Sequence, residues 1–462
     1  MSATLSFETA VRTPYWRETV PDAAPCPPPA GDIACDLAII GGGFTGLWAA
    51  LKARERWPDA RIVLLEAGTC GNAASGRNGG FTAPSISHGV GNAVARWPKE
   101  AETLIWLGRE NLDRMAADLD TYGIDGQFER AGKLTVAATP WQADGLKAMR
   151  DSYARFGIDC TLLEGDALKE RFDSPKYPAG LFEPNYALVN PAMLVEGLKR
   201  ACLKAGVEIH EEAPVTAIAR DGAGVRLSLE AAVVSAKQAV MATNAAVSLI
   251  RRFRMAILPI FDYSLLTAPL TDAQLDTIGW RGRHGIADSG NQFHYFRKTA
   301  DNRILWGGFD AIYHYGSSRD PALLHRPETY ARLAATFNEA FPALADVPFT
   351  HAWGGIIDTS ARTTFFAGTA LGGVVAYALG FTGQGVSASR FAALAMLDML
   401  EGRKTERTEL RMLRSFAVPF PPEPLRSLAV RWAQRDLAAE DLTGRRSLFL
   451  RGLDRLGIGF AS

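Results

Sequence analysis

The stretch "DLAIIGGGFTGLWAALKARERWPDARIVLLEAG", residues 36–68, decides the fold. The apolar run Asp36–Ile40 predicts a strand. A glycine turn follows, then a helix from about Thr45 to Arg56 and a second strand over Arg61–Glu66. The turn reads Gly41-x-Gly43-x-x-Gly46. Gly41 permits the tight bend, Gly43 lets backbone approach a pyrophosphate, and Gly46 lets the helix pack close on the strand. The first N–H groups of the helix and the positive end of its dipole then face the phosphates. Glu66 stands ~20 residues beyond Gly46, where an acid accepts from ribose hydroxyls. Such an acid repels the 2′-phosphate of NADP, so NAD and FAD both remain.

Working outward, "CGNAASGRNGGF" at 70–81 places Gly71, Gly76, Gly79 and Gly80 around Ser75, Arg77 and Asn78. Small residues with donors suit a backbone lying along an extended cofactor. Helices are expected at 100–123 and 191–206, and strands at 132–139, 207–211, 224–229 and 238–245. The 291–310 stretch reads as two aromatic strands around a polar turn at Asp301–Asn302. Residues 372–402 repeat the order strand, glycine turn, helix, and the chain beyond 403 is charged and helical, broken by "PFPPEP" at 419–424. The fold class is therefore α/β, with a discontinuous Rossmann-like nucleotide domain (33–90, 187–255 and 350–402). It is interleaved with an antiparallel-sheet substrate domain (91–186 and 256–349). Residues 1–32, with their "PCPPP" run, are expected to form an extended arm, and 403–462 a C-terminal helical segment.

Composition narrows the function classes. Lys+Arg and Asp+Glu both count 50, which leaves no basic surplus for nucleic acid. No apolar run of about 18 residues predicts a membrane span, and residues 1–32 hold no apolar core of a signal peptide. The five cysteines, Cys26, Cys35, Cys70, Cys160 and Cys202, show no metal or disulfide spacing, so a reducing, cytoplasmic location and no metal are expected. No internal repeat is present.

"GGGFTGL", "LLEAG" and "ASGRNGG" together resemble the D-amino-acid-oxidase/glycine-oxidase superfamily of FAD enzymes, most closely its γ-glutamylputrescine-oxidase-like branch. The likeness continues through "ALVNPAMLVEGLKRACLKAGVEI" (187–209), "AVMATNA" (239–245), "HYFRKTADNRILWGG" (294–308), "HAWGG" (351–355) and "GFTGQGV" (380–386). The resemblance implies one noncovalent FAD. Gly41, Gly43, Phe44, Thr45 and Gly46 would hold its pyrophosphate, and Glu66 and Ala67 its adenosine ribose. Ser75, Gly76, Arg77, Asn78 and Gly79 would follow the ribityl chain. The Val215 backbone would meet adenine, and Thr243 would end the third nucleotide strand at the cofactor.

Gly380, Thr382, Gly383, Gln384, Gly385 and Val386 form a second turn before a helix running to about Leu400. A helix N-terminus there would stabilise negative charge on the reduced flavin ring. No second dinucleotide fingerprint appears, which argues against a nicotinamide-dependent monooxygenase or reductase. No cysteine follows Cys202, so a late cysteine link to flavin is not expected, while His88 after the glycine loop is a ring neighbour.

Pocket candidates are Tyr263, Tyr295, Arg297, Trp353, Gln384 and His88. On a strand, Phe293, Tyr295 and Arg297 share one face, and His294 and Phe296 the other. Glycine-oxidase-like members clamp a carboxylate with an arginine just after the Trp-containing strand. Ile356 and Ile357 stand there in this chain, and Gln384 stands where histidine is expected in many relatives. The implied reaction is oxidation of a small amine without a clamped α-carboxylate, by hydride transfer to flavin, with molecular oxygen as final acceptor. An FAD-dependent amine dehydrogenase and a non-catalytic flavin-binding protein remain alternatives.

Overall fold

The computed structural model describes residues 7–21 and 24–459; residues 1–6 and 22–23 of the expected arm, and 460–462 of the expected C-terminal segment, lie outside these. Two sheets organise the described chain. The first has eight strands, with the path Phe366–Ala370, Val375–Leu379, Val233–Met241, Ile33–Ile40, Ile62–Leu65, Glu208–His210. The strands Val375–Leu379, Val233–Met241, Ile33–Ile40, Ile62–Leu65 and Glu208–His210 run parallel to one another, while Phe366–Ala370 is antiparallel to its neighbour. Ile40 is level with Leu65 on one side and Met241 on the other. The residues just beyond these three strand ends are Gly41, Glu66, and Ala242 with Thr243. That edge, at the carboxyl ends of parallel strands, is where open α/β sheets bind ligands. The strand ending at Leu379 brings the second glycine turn to the same edge.

The helices that follow the two turns, Phe44–Arg56 and Gly385–Leu400, begin within a residue of the expected positions and pack on one another. The first is buried almost all round, including Leu47, Trp48, Ala50 and Leu51. A third helix, Ala101–Tyr122, covers both. Its Asp118 accepts from Lys52 Nζ at 2.7 Å and from Arg390 Nε at 2.6 Å, one cation from each turn-following helix. This helix was expected in the substrate segment 91–186, but its apolar face joins the nucleotide-side core.

The second sheet has nine strands, eight of them in the path Ile312–Tyr313, Leu258–Thr267, Ile304–Gly308, His294–Lys298, Gly285–Asp288, Lys133–Ala137, Ala179–Glu183, Thr161–Glu164. The ninth, Phe349–Thr359, pairs with Leu258–Thr267 along its whole length. The expected boundary at 350 therefore falls inside this sheet, because a long antiparallel ladder holds 349–359 to the substrate side. The N-terminal arm also departs from an extended form. It makes a 3₁₀ turn at Tyr15–Thr19 with Tyr15 and Trp16 buried. Glu18 pairs with His351 at 2.8 Å, and Tyr15 donates to Asp301.

Removal of the Asp118 carboxylate leaves Arg390 only the neutral Asn111 oxygen, while Lys52 keeps the more exposed Glu55. Breaking a largely buried pair from one side costs about 3 kcal/mol. Urea unfolding of Asp118→Ala is expected to show that loss in the midpoint with the slope unchanged; a loss under about 0.5 kcal/mol, the size of a surface change, would refute the clamp.

Candidate active site

The first turn has no room for side chains. A Cβ on Gly46 would lie 1.8 Å from the Gly41 carbonyl oxygen, one on Gly41 2.5 Å from the Ala242 oxygen, and one on Gly43 2.8 Å from Ser75 Oγ. The helix it opens has no side-chain cap. The Phe44 N–H donates to Ser75 Oγ at 2.9 Å and the Phe44 ring enters the core, whereas Thr45 stays half-buried. Ser75 thus lies against the first glycine turn. Glu66 accepts from the N–H groups of Gly42 at 2.6 Å and Gly68 at 3.0 Å, so its carboxylate reaches back to the turn; Ala67 beside it is exposed. The 211–215 segment runs alongside, with the Ala213 N–H on the Glu66 carbonyl and Val215 half-buried. Thr243, whose backbone lies beside Gly41, has a buried Oγ1 with no hydrogen-bond partner among the described residues.

The 75–80 loop is pinned from several sides. Asn78 Nδ2 donates to the Ala74 and Ser75 carbonyls, and Asn78 Oδ1 accepts from the Gly80 N–H. Gly76 is buried and admits no side chain, since a Cβ would lie 2.4 Å from the Gly71 oxygen. Arg77 donates to the carbonyls of Asn72 and Gly354. Three residues from distant segments hold the loop carbonyls. The Trp16 indole donates to Asn78, the Trp353 indole to Arg77, and Arg297 to Gly79 and Val189.

This corrects three pocket candidates. Arg297 lies on the expected face, but it is 1% exposed under the glycine loop and has no acid partner among the described residues; burial pulls its pKa down to about 9. Trp353 is 2% exposed and satisfied by Arg77. Tyr263 falls on the opposite face of its strand, packed on the 327–340 helix, with its hydroxyl on the Leu323 carbonyl at 2.6 Å. Its neighbour Asp262 takes the inward position.

Asp262, Tyr295, Lys133, Glu183 and His88 are each enclosed deep in the molecule yet keep some accessible surface. The Tyr295 hydroxyl donates to Asp262 Oδ2 at 2.6 Å and lies 3.1 Å from Ser264 Oγ. Its ring lies where a Cβ on Gly79 would fall, and Phe81 meets it edge-on at 6.0 Å. Burial pushes Asp262 up to about 6 against the pull of the Tyr295 hydroxyl. Of the Ile356–Ile357 pair, only Ile357 shares the face of Asp262, opposite Ile260; Ile356 packs into the core. His88 has positive φ just before the 89–96 helix, and burial drives its imidazole down to about 4, so it is neutral.

The second turn strings Gly380, Thr382 and Gly383 in the left-handed region at φ 84, 51 and 80. The Asp358 carboxylate, absent from the expected site, fixes it by accepting from the Gly380 N–H at 2.7 Å. Thr382 Oγ1 donates to the Gly380 carbonyl and accepts from the Ser360 N–H. Gly383 faces open space. A Cβ on Gly385 would touch only the Phe381 side chain at an ordinary 3.6 Å, so no clash reserves that position for glycine. Gln384 is the N-cap of the 385–400 helix without a capping bond, and Val386 is buried. Asp262 and Asp358 escaped the sequence reading because each is one acid in an apolar strand, and only the strand phase tells which way it points.

Two uncapped helix ends, glycines that exclude side chains and an unpartnered Thr243 hydroxyl fit an extended dinucleotide lying between the turns. A family model described as FAD dependent oxidoreductase matches residues 36–399. The chain belongs to this family. It depends on FAD, and the residues of the two turns and the 75–80 loop are those that would hold it. A relative described as probable oxidoreductase OrdL from Haemophilus influenzae is 27% identical over 79% of this chain and 83% of its own. The gamma-glutamylputrescine oxidoreductase of Escherichia coli is 27% identical over 80% and 84%. The structure of glycine oxidase from Geobacillus kaustophilus superposes with a TM-score of 0.68 at 20% identity, covering 81% of this chain and 96% of that one.

Two outcomes follow. The sulfur of Cys70 lies beneath Gly42 at the nucleotide end, and burial raises its thiol, so neither position nor ionisation suits a ring linkage. Acid precipitation should leave the yellow flavin in the supernatant; flavin in the pellet would contradict this. Burial raises Asp358 to about 7 from an ordinary ~3.9. Its contribution to stability is therefore present below about pH 4 and lost as the pH rises through about 7. Asp358→Asn keeps an acceptor for Gly380, and its melting temperature relative to the parent should rise from pH 4 to 8. A constant difference across that range would count against the assignment.

Proposed function

We propose that this protein oxidises a small amine, with water and oxygen consumed to give a carbonyl, ammonia or a smaller amine, and hydrogen peroxide. The carrying observation is Asp262, an enclosed carboxylate that keeps some accessible surface, in contact with Tyr295 and not with any cation within ion-pair distance among the described residues. FAD, when bound, supplies the two-electron acceptor. The residues of the chain must deliver a neutral amine to it. An amine arrives protonated at neutral pH, and ionised Asp262 attracts that ammonium and takes its proton, which frees the nitrogen lone pair. Tyr295 and Ser264 hold the carboxylate in place. The pinned 75–80 loop fixes the opposite wall.

An α-amino acid is the poorer fit. The arginine of this face is spent on Gly79 and Val189, and Ile357 cannot replace a fork that grips a carboxylate with two charge-assisted bonds. The relative named for γ-glutamylputrescine supports an amine in the same way. Five free cysteines support a reducing, cytoplasmic setting, and among the described residues no helix is long and apolar enough to cross a membrane.

The test is anaerobic reduction of the pure holoenzyme by a panel of amines, followed by oxygen uptake. Flavin bleaching should accelerate as the pH rises through about 6, where Asp262 ionises. Asp262→Asn should lose that limb and slow reduction by on the order of 10²-fold, the lower range for acid–base assistance. Tyr295→Phe removes a bond to the ionised form, so its limb should move to higher pH. Bleaching by no amine would sink the amine reading. Bleaching without oxygen uptake would make the protein a dehydrogenase with another acceptor, and an unaltered Asp262→Asn profile would remove the proton-acceptor role.

A further inference from the structure

The charged C-terminal segment lies beyond residue 399, where the family match ends, and its long helix is mounted in reverse. An ordinary surface helix buries its leucines and exposes its charges. In the helix Leu425–Thr443, residues Leu425, Leu428, Trp432, Arg435, Ala439 and Leu442 recur at three- and four-residue spacing and share one face. That face is the exposed one, with Leu425 and Leu428 at 59%, Trp432 at 56% and Leu442 at 84%. The bonds that hold the helix to the body come from the other side and are polar. Arg426 donates to Ser317 Oγ and Gln434 to the Ala311 carbonyl. Asp441 accepts from the N–H groups of Asn291 and Gln292 at 2.7 and 2.8 Å. The large apolar residues of that side, Val430 and Leu437, are each partly buried.

The Trp432 ring stacks on Phe449, 4.5 Å between ring centres with the planes 10° apart, which joins this face to the helix Leu448–Arg455. There Leu448 is exposed, with Arg451 and Arg455 exposed at helical spacing from it. Charge is sorted as sharply as hydropathy. Every acid between residues 425 and 459 is already engaged: Asp436 by Ser447, Glu440 and Asp454 by Arg446, and Asp441 by the 291–292 backbone. By contrast, the exposed arginines Arg431, Arg435, Arg445, Arg451 and Arg455 make no side-chain hydrogen bond or ion pair among the described residues. The chain as a whole has 50 basic and 50 acidic side chains, so this surplus is local.

A contiguous exposed apolar patch marks an interaction site, and the charge decides what meets it. A second copy docking through the same face would bring these arginines onto their own counterparts across a two-fold axis, and like charges opposed at an interface cost affinity. A bilayer with anionic headgroups matches both features together. Leucine and tryptophan side chains enter the boundary between headgroups and acyl chains, and arginines on long apolar stems reach out to the phosphates. No helix among the described residues is long and apolar enough to cross a membrane, and a helix lying in the interface plane needs no such length. We propose that the outward face of the 425–443 helix, continued by the 448–455 helix, is a docking surface for an anionic phospholipid bilayer. It holds the enzyme at the membrane surface through a segment added outside the family body.

The test is flotation of the FAD-loaded full chain with two kinds of vesicle, phosphatidylcholine alone and phosphatidylcholine with about one third phosphatidylglycerol. The anionic vesicles should be bound at least about tenfold more tightly, and that binding should weaken as added salt shortens the screening length. Two double variants change exposed side chains only. Arg431→Gln with Arg435→Gln should weaken binding by about fivefold for each arginine removed, and lysine at both positions should retain most of it. Leu425→Ser with Leu428→Ser should weaken it at least about tenfold. FAD content and melting temperature should stay at the parent values throughout, which separates docking from folding. Equal binding to the two vesicles, binding to neither, or binding that survives both double variants would overturn the proposal. A dimer in solution that the leucine variant dissociates, without vesicle binding, would overturn it too and assign the face to a second copy.

Discussion

The architecture depends on one close approach. The Gly46 α-carbon lies so near the Gly41 carbonyl that even a methyl group would sit 1.8 Å from it. This contact lays the 44–56 helix directly on the strand that precedes it. The helix is then buried along most of its surface, with Ala49, Ala50 and Ala53 fully enclosed. The 385–400 helix packs against it, and Asp118 clamps the two together with charge. The ends of both helices are thereby presented at one edge of one sheet. A flexible pair of turns could not offer two dipoles at a fixed separation; a pair of helices locked through a common core can.

The polar residues around the site divide into those that hold the backbone and those that remain available. Arg297 is the clearest of the first kind. A buried guanidinium without a carboxylate is costly, and this one recovers that cost by bonding the Gly79 and Val189 carbonyls and lying 5.5 Å over the Trp16 ring. The 75–80 loop contains four residues that no helix or strand supports, so its shape has to be imposed from outside. Trp16 does so from an arm that precedes residue 36, where the family match begins. Glu211 does the same for the preceding loop, accepting from the Cys70 and Cys26 N–H groups while paired with Lys199. The glycine loops that would line the cofactor are thus held by segments far apart in the chain.

The sequence was most legible where chemistry is local. The glycine spacing, Glu66 and the "GFTGQGV" turn each act within a few residues, and the elements around them stand where the pattern puts them. It was least legible where function depends on strand phase. Tyr263 and Asp262 are adjacent, and an antiparallel strand of mixed composition gives no sign of which one faces the interior. The alternation 293-295-297 was read correctly as one face, but Arg297 on that face is consumed by a loop more than two hundred residues away in sequence. Lys133 and Glu183 look like solvated strand ends. Only the pairing of their strands sets them opposite one another. The 350 boundary failed for a related reason, because the ladder between 258–267 and 349–359 joins segments that sequence proximity separates.

Two enclosed acids share one physical origin. Burial raises Asp262 to about 6 and Glu183 to about 7, in each case against a neighbour that favours the ion. An empty site is therefore reluctant to carry its full negative charge. A cationic ligand reverses this, because its charge replaces the lost hydration and draws the proton off the carboxylate it meets. Binding and ionisation are then linked, since positive charge brought to a buried carboxylate favours its ionised form. A neutral molecule of the same shape gains nothing from that linkage.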